Sequence, residues 1–180
     1  MKVTIGKYPT YNWLTRKLHW KREQKISINI DPWDTWSMDH TLAHIILPML
    51  KQLKATGHGS PYVDDKDVPK ELRRPHDHLT SAPEWETDEN WDKRWEWVMG
   101  EMIYAFESHI DIEAAESKFS SGVFDMKMVD TVTKSGDPAY TFEEGPNHTY
   151  KVDEKGLKAH QKRVKNGFRL FGTYYQGLWD

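Results

Sequence analysis

The chain has 180 residues, which is enough for one domain with a substantial hydrophobic core. It contains no cysteine, so disulfides, thiolate metal sites and cysteine nucleophiles are excluded. The formal net charge is −3, with basic ends around an acidic middle, and no apolar run is long enough to span a membrane. That asymmetry fits either charge complementarity on one surface or a basic groove for an anionic ligand. The first residues, MKVTIGKYP, contain no hydrophobic stretch, so no secretory signal is expected.

The first thirty residues predict two strands and a short helix. Residues 2–5 (KVTI) show the short alternation of an edge strand. Residues 25–30 (KISINI) alternate cleanly, with the three isoleucines facing one way. Between them, the apolar spacing of residues 11–20 predicts a short helix.

The first main helix is predicted to begin near the string DPWDTWSMDH. Asp31, followed by proline, is a good N-cap, and Ser37 is a second candidate cap. From Leu42 the apolar residues cover about half of the helical circumference, which indicates deep packing. Pro48 is expected to kink or loosen the helix, and Gly57 is expected to end it.

The remainder of the chain predicts a loop, two further helices and extended segments. Residues 57–87 are rich in proline, glycine and charge, which is typical of a long surface loop with at most a helical turn near residues 69–73. Asp88 should cap a second helix over residues 89–110, and Asp153 should cap a third. Residues 117–152 read as strands joined by turns at residues 135–138 and 145–147. The predicted fold is a single α+β domain over residues 1–180, with about three principal α-helices packed with a small, mainly antiparallel β-sheet.

A metal site is one hypothesis for the front of the first helix. His40 and His44 are four residues apart, so they share a helix face at the margin of the apolar arc, where half burial is expected. Asp39 or Glu101 would supply a third ligand. The pair lacks the glutamate of HExxH, however, and histidines hydrogen-bonded at a helix boundary explain the same pattern. No metal or cofactor is therefore assigned.

Two other groups of titratable residues leave alternatives open. The string PHDH in the long loop, together with His58, would form a divalent-metal site or would simply be solvated. Glu101 has aromatic neighbours one turn away on either side, so it is either a carboxyl group suited to acid–base chemistry or the partner of Arg94 or a lysine in a salt bridge. The chain has no GxxxxGK[ST], GxGxxG or GxSxG motif, which disfavours ordinary nucleotide hydrolases and serine hydrolases.

Recognition of a ligand is the function that the composition favours. Basic segments with interleaved rings occur near both ends, as YNWLTRKLHWKR and KRVKNGFRLFGTYYQGLW. Arginine and lysine suit phosphates, and tryptophan and tyrosine suit stacking, although an amphipathic helix on a core has the same composition. Function is expected where the Trp- and His-rich start of the first helix meets the basic third helix. The residues predicted to bind a ligand are Trp33, Trp36, His40, His44, Arg163, Arg169, Tyr174 and Tyr175.

Several long strings of the chain resemble an uncharacterised family of tailed-bacteriophage proteins. They are WDTWSMDHTLAHIILPMLKQLK, HGSPYVDD, WDKRWEWVMGEMIYAFE and NGFRLFGTYYQGLWD, and the resemblance covers nearly everything after residue 25. No activity is attached to that family, so the resemblance implies a setting and no site residues. The implied setting is a phage gene product in the host bacterial cytoplasm or in a particle.

The leading hypothesis is a non-enzymatic phage accessory protein that binds a host-derived ligand or a host protein. A counter-defence role, in which the protein sequesters a nucleotide immune signal, fits the aromatic and basic composition. One alternative is a metal-dependent enzyme that uses His40, His44 and a carboxylate. Another is a virion or assembly component whose apolar faces are subunit contacts. No membrane partner is expected, no strong nucleic-acid signal is present, and a homo-oligomer is compatible with Trp- and Tyr-rich surfaces.

Overall fold

The computed structural model describes residues 1–6, 13, 17, 24–75 and 87–179. The described chain divides into two compact units, Met1–Leu42 and Ala43–Asp180. The single domain over residues 1–180 stays a prediction. The helix predicted over residues 11–20 lies outside the described residues, except for positions 13 and 17, and so do the histidines of the PHDH string.

In the first unit, two strands form an antiparallel ladder. Strand β1 (Lys2–Ile5) pairs with β2 (Ile26–Asn29), which confirms both predicted strands. Asp31 then caps a short 3-10 turn over Pro32–Thr35, and the side chains of Asp31 and Asp34 cap each other's backbone N–H groups reciprocally. The Asp31 cap therefore belongs to this turn, whereas the main helix starts just after Ser37.

Helix α1 (Met38–Thr56) continues through Pro48. It ends before Gly57, as predicted, and the Gly57 N–H donates a hydrogen bond to the Leu53 carbonyl oxygen at 2.8 Å. Ala43 is completely buried and Leu50 nearly so, which agrees with the packing that the apolar arc predicts.

The segment between α1 and the next helix contains two 3-10 turns, at Asp65–Asp67 and Lys70–Leu72. The second of them confirms the helical turn predicted near residues 69–73. Val63, Asp67 and Val68 are buried, so the described part of the predicted surface loop contributes to the core. Sequence composition missed this because two isolated valines in a charged stretch show no periodicity.

Arg74 is bonded to two earlier residues of the segment that follows α1. Its Nε donates to the Asp65 carboxylate at 3.1 Å, and its terminal nitrogen donates to the Tyr62 hydroxyl at 2.8 Å. The guanidinium group also lies over the Tyr62 ring, 4.5 Å from the ring centre. These contacts stabilise the conformation of residues 62–74, which contain only short 3-10 turns.

Helix α2 (Trp91–Ile110) is the central helix of the second unit, and Trp95, Val98 and Met102, which share one of its faces, are buried. The prediction that Asp88 caps it is wrong, because the N-cap is Asn90, which makes no side-chain capping bond. Asp88 instead forms an ion pair with Arg94 at 3.0 Å, and both side chains are buried. The same carboxylate also accepts a hydrogen bond from the Asn90 N–H at 2.9 Å, so Asp88 holds both the buried arginine and the turn that precedes the helix.

After the short helix α3 (Ile112–Glu116), the chain forms a two-stranded antiparallel ribbon. Strands β3 (Ser120–Ser121), β4 (Met126–Val132), β5 (Pro138–Glu144) and β6 (Lys151–Val152) pair as β3 with β6 and β4 with β5, both antiparallel. The predicted turn at residues 135–138 is confirmed, with Gly136 at φ +89°. The turn at residues 145–147 is confirmed as well, because the His148 N–H donates to the Gly145 carbonyl oxygen.

Helix α4 (Glu154–Thr173) begins as predicted at Asp153, whose carboxylate accepts a hydrogen bond from the Gly156 N–H. It packs on α2, with Gly167 directly against the α2 backbone. The described residues thus form an α+β fold with three long helices, one short helix and three two-stranded antiparallel ladders, in agreement with the predicted class. None of the helices in the described ranges is long and apolar enough to cross a membrane.

Candidate functional site

An apolar groove of about 510 Å³ lies between α1 and the end of α4 with the segment that follows it. Its volume falls in the range of small-ligand and peptide-anchor pockets, and none of the described residues that line it is charged. The residues of this apolar groove are Ile46, Met49, Leu50, Leu53, Phe171, Tyr175, Leu178 and Trp179.

The α1 wall follows from the spacing of its apolar residues. Ile46, Met49, Leu50 and Leu53 recur at the intervals that place side chains on one helical face. Leu50 is buried against the core, whereas Met49 is more than half exposed. The wall therefore passes from core to solvent, and a Met side chain with several rotatable bonds stands at its outer edge.

The opposite wall depends on two adjacent tyrosines that have different environments. Tyr174 is only 9 % exposed. Its hydroxyl accepts a hydrogen bond from the Asp64 N–H at 3.0 Å and donates one to the Asp67 carboxylate at 2.8 Å. Burial, reinforced by the hydrogen bond to Asp67, raises the pKa of Tyr174 to about 12. Tyr174 thus anchors the end of α4 to the interior.

Tyr175 is more than half exposed and packs edge-on against Phe171, with ring centres 5.7 Å apart. A 3-10 turn over Tyr175–Gly177 follows, and a Cβ at Gly177 would lie 3.0 Å from Pro61. Trp179, also more than half exposed, completes the mouth of the apolar groove. Large aromatic side chains that remain partly in water are typical of binding surfaces.

Acidic residues are absent from the two stretches of sequence to which the walls belong. Residues 40–56 and 155–179 contain no aspartate or glutamate. In α4 the basic side chains are Lys155, Lys158, Lys162, Arg163, Lys165 and Arg169. Lys51, Lys158, Arg163 and Arg169 are each paired with a carboxylate of the chain. The positive charge that would attract an acidic partner is therefore that of the other lysines, Lys54 in α1 and Lys155, Lys162 and Lys165 in α4.

Arg163, a predicted ligand-binding residue, has a partner inside the protein. Its Nε and terminal nitrogen donate to the two oxygens of the Glu101 carboxylate at 3.0 and 2.7 Å. The guanidinium group lies 3.7 Å from the centre of the Tyr104 ring. The hydrogen bond to Glu101 raises the pKa of Arg163 above its ordinary value. Of the two alternatives for Glu101, the structure shows the salt bridge, with Arg163 in place of Arg94 or a lysine.

Arg169 and Tyr174, two further predicted ligand residues, meet at Asp67. Arg169 donates to one Asp67 oxygen at 2.7 Å, while Tyr174 donates to the other. Asp67 is buried, and sequence reasoning did not single it out because it lies in a stretch of mostly solvated charges. That these residues bind a ligand stays a prediction, since their polar groups already have protein partners.

The remaining predicted residues are at the protein surface. Trp33 and Trp36, in the first unit, are 78 % and 84 % exposed, with tilted rings 6.3 Å apart. His40 of the first unit and His44 of the second are both exposed, so the prediction of half burial is wrong for each. They lie just outside the apolar arc, where a helix faces water. The expected meeting of the start of α1 with α4 stays a prediction.

No group of three or more His, Asp or Glu side chains suited to a metal ion occurs within the described part of the chain. The carboxylate that the sequence offered as a third ligand, Glu101, is engaged by Arg163. No metal-ligating function is therefore assigned to His40 or His44.

A second cavity, of about 280 Å³, is lined by residues of α2, α3 and α4, among them Ser108, His160 and Lys165. The Nδ1 atom of His160 lies 2.6 Å from the Tyr104 hydroxyl. The Ser108 hydroxyl donates to the Tyr104 carbonyl oxygen at 2.8 Å and not to His160. A serine–histidine nucleophile pair is therefore not formed here, and the Tyr104–His160 contact joins α2 to α4.

Sequence reasoning missed Met49 and Trp179 as surface residues of the apolar groove. The apolar spacing of the predicted third helix continues as far as Leu178, and such a stripe by itself predicts core packing. Trp179, the next residue, was the available signal, because a large ring directly after a stripe extends an apolar surface beyond the helix.

Comparisons of the chain with protein-family models, with curated protein sequences and with solved structures give no match. Function is therefore inferred from the geometry of the described residues. The apolar groove is the feature of that geometry with the clearest chemical preference.

Proposed function

We propose that this protein is a non-enzymatic accessory protein that binds an apolar segment of a protein partner in the apolar groove. The observation that supports the proposal is the group of three large side chains at the mouth of the groove, Met49, Tyr175 and Trp179, each more than half exposed. In the setting that the sequence resemblance implies, the protein is a phage product in the host bacterial cytoplasm and the partner is a host protein.

The lining favours a protein segment over a nucleotide immune signal. A nucleotide needs cations or backbone N–H groups for its phosphates, and the described lining residues are all apolar or aromatic. The predicted phosphate ligands Arg163 and Arg169 hold Glu101 and Asp67 instead. Neither arginine lines the apolar groove.

The residues of the two walls indicate which kind of protein segment would fit the apolar groove. An amphipathic helix presents apolar residues at intervals of three and four, which is the arrangement that enters grooves between helices. Acidic residues beside those anchors would complement the positive charge of α1 and α4. Met adapts to different anchors, and Tyr and Trp supply contact area at a small cost in conformational entropy.

Selection from a library of helical peptides, followed by isothermal titration calorimetry, tests the proposal. We expect selected peptides to combine a helical apolar face with aspartate or glutamate, and their binding to weaken at high salt. The variants Tyr175→Ala and Trp179→Ala should each weaken binding about tenfold or more. Phe124→Ala is the matched control, because that ring is equally exposed but lies outside the apolar groove, just before β4.

Two results would contradict the proposal. One is a library that yields no binder above background. The other is a set of binders whose affinity does not change in Tyr175→Ala and Trp179→Ala. A thermal-shift series with cyclic and ADP-ribose-type nucleotides addresses the signal-sequestering alternative. A stabilising nucleotide whose effect depends on Arg163 or Arg169 would favour that alternative over a protein partner.

A further inference from the structure

The β4–β5 hairpin has one face of large apolar side chains that point into solvent. In this antiparallel ladder Met128 is paired with Phe142, and two residues further along each strand Asp130 is paired with Tyr140. Because paired residues share a face and side chains alternate along a strand, Met128, Val132, Tyr140 and Phe142 lie on the same side. Each of the four is 63–68 % exposed. We call this surface the hairpin face.

The opposite side of the hairpin has a different composition. It carries the pair Lys127–Glu143, the residues Thr131 and Thr141, and the smaller Val129. Such alternation of apolar and polar faces is the pattern of a sheet that is covered on one side and solvated on the other. The alternation in the hairpin sequence therefore indicates that another layer packs on the hairpin face.

Among the described residues, β4 and β5 pack mainly on each other and belong to a two-stranded sheet. An isolated two-stranded ribbon is only marginally stable in water, and a hydrophobic face normally needs a second layer. No described helix supplies that layer over the four exposed side chains.

We infer that a second copy of this chain covers the hairpin face, with two hairpins packed face to face about a two-fold axis. The four side chains expose on the order of 500 Å² on one chain, as aromatic and aliphatic residues of their size do. Two such faces would bury about 1,000 Å² in total, which reaches the lower limit for a specific interface. The contact reaches this limit only if the partner surface covers all four side chains, as an identical face can.

The shape and charge of the hairpin face also fit a symmetric contact. A two-fold interface requires one surface to complement itself, and an apolar face with aromatic rings does so without matching charges. Asp130 lies on the hairpin face opposite Tyr140, so its carboxylate is part of the contact. There it can accept a hydrogen bond from the Tyr140 hydroxyl of the second copy. This inference is independent of the apolar groove and of the partner proposed for it.

The absence of cysteine from the chain permits a clean crosslinking experiment. Single cysteines are introduced in the full chain as Met128→Cys, Tyr140→Cys and Phe142→Cys on the hairpin face. Thr131→Cys and Thr141→Cys on the opposite side are the controls. Under mild oxidation we expect a disulfide-linked dimer from at least one variant of the hairpin face and from neither control. A crosslink from Thr131→Cys or Thr141→Cys would overturn the inference, because it would place the opposite side of the hairpin at the contact.

The mass in solution provides the second measurement. Light scattering coupled to size exclusion should give about twice the 21.2 kDa of one chain for the unmodified protein and for Thr141→Ser. Phe142→Ser should shift the mass towards that of a single chain, while its circular dichroism spectrum stays helical. A monomer in the unmodified protein, or a dimer that persists in Phe142→Ser and shows no crosslink on the hairpin face, would overturn the inference.

Discussion

The Tyr174 hydroxyl donates a hydrogen bond to the buried carboxylate of Asp67 at 2.8 Å. This contact joins the segment before α2 to the residue that follows α4. Arg169 donates to the second oxygen of the same carboxylate at 2.7 Å, so Asp67 has two donors. Because Tyr175 directly follows Tyr174, the position of one wall of the apolar groove depends on this interaction.

Replacing Tyr174 with phenylalanine should lower the free energy of unfolding by about 1–3 kcal/mol at neutral pH. The ring still fills its space, but the Asp67 carboxylate loses a donor and the Asp64 N–H loses its acceptor. Urea unfolding measures the change. Tyr150→Phe, at an exposed tyrosine just before β6, is the matched control and should leave the free energy of unfolding nearly unchanged.

The hydrogen bond between Tyr174 and Asp67 also predicts how the free energy of unfolding changes at alkaline pH. Folding raises the pKa of Tyr174 from the ordinary 10.0 to about 12, so below pH 10 the folded and unfolded chains both keep the phenol proton. As the pH rises from 10 to 12, the unfolded chain releases this proton first, and the stability that Tyr174 contributes is lost. The advantage of the unmodified protein over Tyr174→Phe should therefore fall by about 1 kcal/mol between pH 9 and pH 11. A constant difference over this range would show that the tyrosine titrates normally in the folded protein.

Arg163 and Glu101 should show a measurable coupling in a double-mutant cycle. Arg163→Met leaves a mostly buried carboxylate without its cation, while the arginine itself is half exposed. We therefore expect a loss of about 2 kcal/mol, which is less than for a fully buried pair. Glu101→Gln should cost less, and the double variant should recover about 1–2 kcal/mol relative to the sum of the single changes.

The exposed ion pair between Lys158 and Glu154, one turn apart on α4, provides a control for that cycle. Both side chains are about three-quarters exposed, so Lys158→Met should cost about 0.5 kcal/mol or less. If Arg163→Met had an equally small effect, the Arg163–Glu101 contact would not stabilise the fold, and Arg163 would be available for a ligand.

The predictions from sequence that the structure confirms depend on neighbouring residues. Asp153 caps α4 through the Gly156 N–H, three residues away, and the Gly136 turn joins two strands that follow each other. Such features are encoded within a few residues, so spacing and residue type suffice. The α+β class and the three long helices follow from the same local patterns.

The partners of the charged residues could not be predicted, because they are distant in sequence. Asp67 and Tyr174 are 107 residues apart, and Glu101 and Arg163 are 62 apart. Sequence composition marks Arg163, Arg169 and Tyr174 only as basic or aromatic residues suited to phosphate or stacking contacts. It could not indicate that each would face a carboxylate of the same chain.

Gly167 and Gly172 lie on the same helix but should respond in opposite ways to substitution by alanine. At Gly167 a Cβ would overlap the Glu101 carbonyl oxygen and lie 2.6 Å from the Ala105 Cβ, so α2 and α4 would have to separate. Gly167→Ala should therefore lower the free energy of unfolding by about 1–3 kcal/mol, despite the higher helix propensity of alanine. At Gly172 no atom lies within 4 Å of the added Cβ, so the same substitution should raise it by up to about 1 kcal/mol. Urea unfolding of both variants measures the contrast, and stabilisation by Gly167→Ala would mean that the two helices do not approach as closely as described.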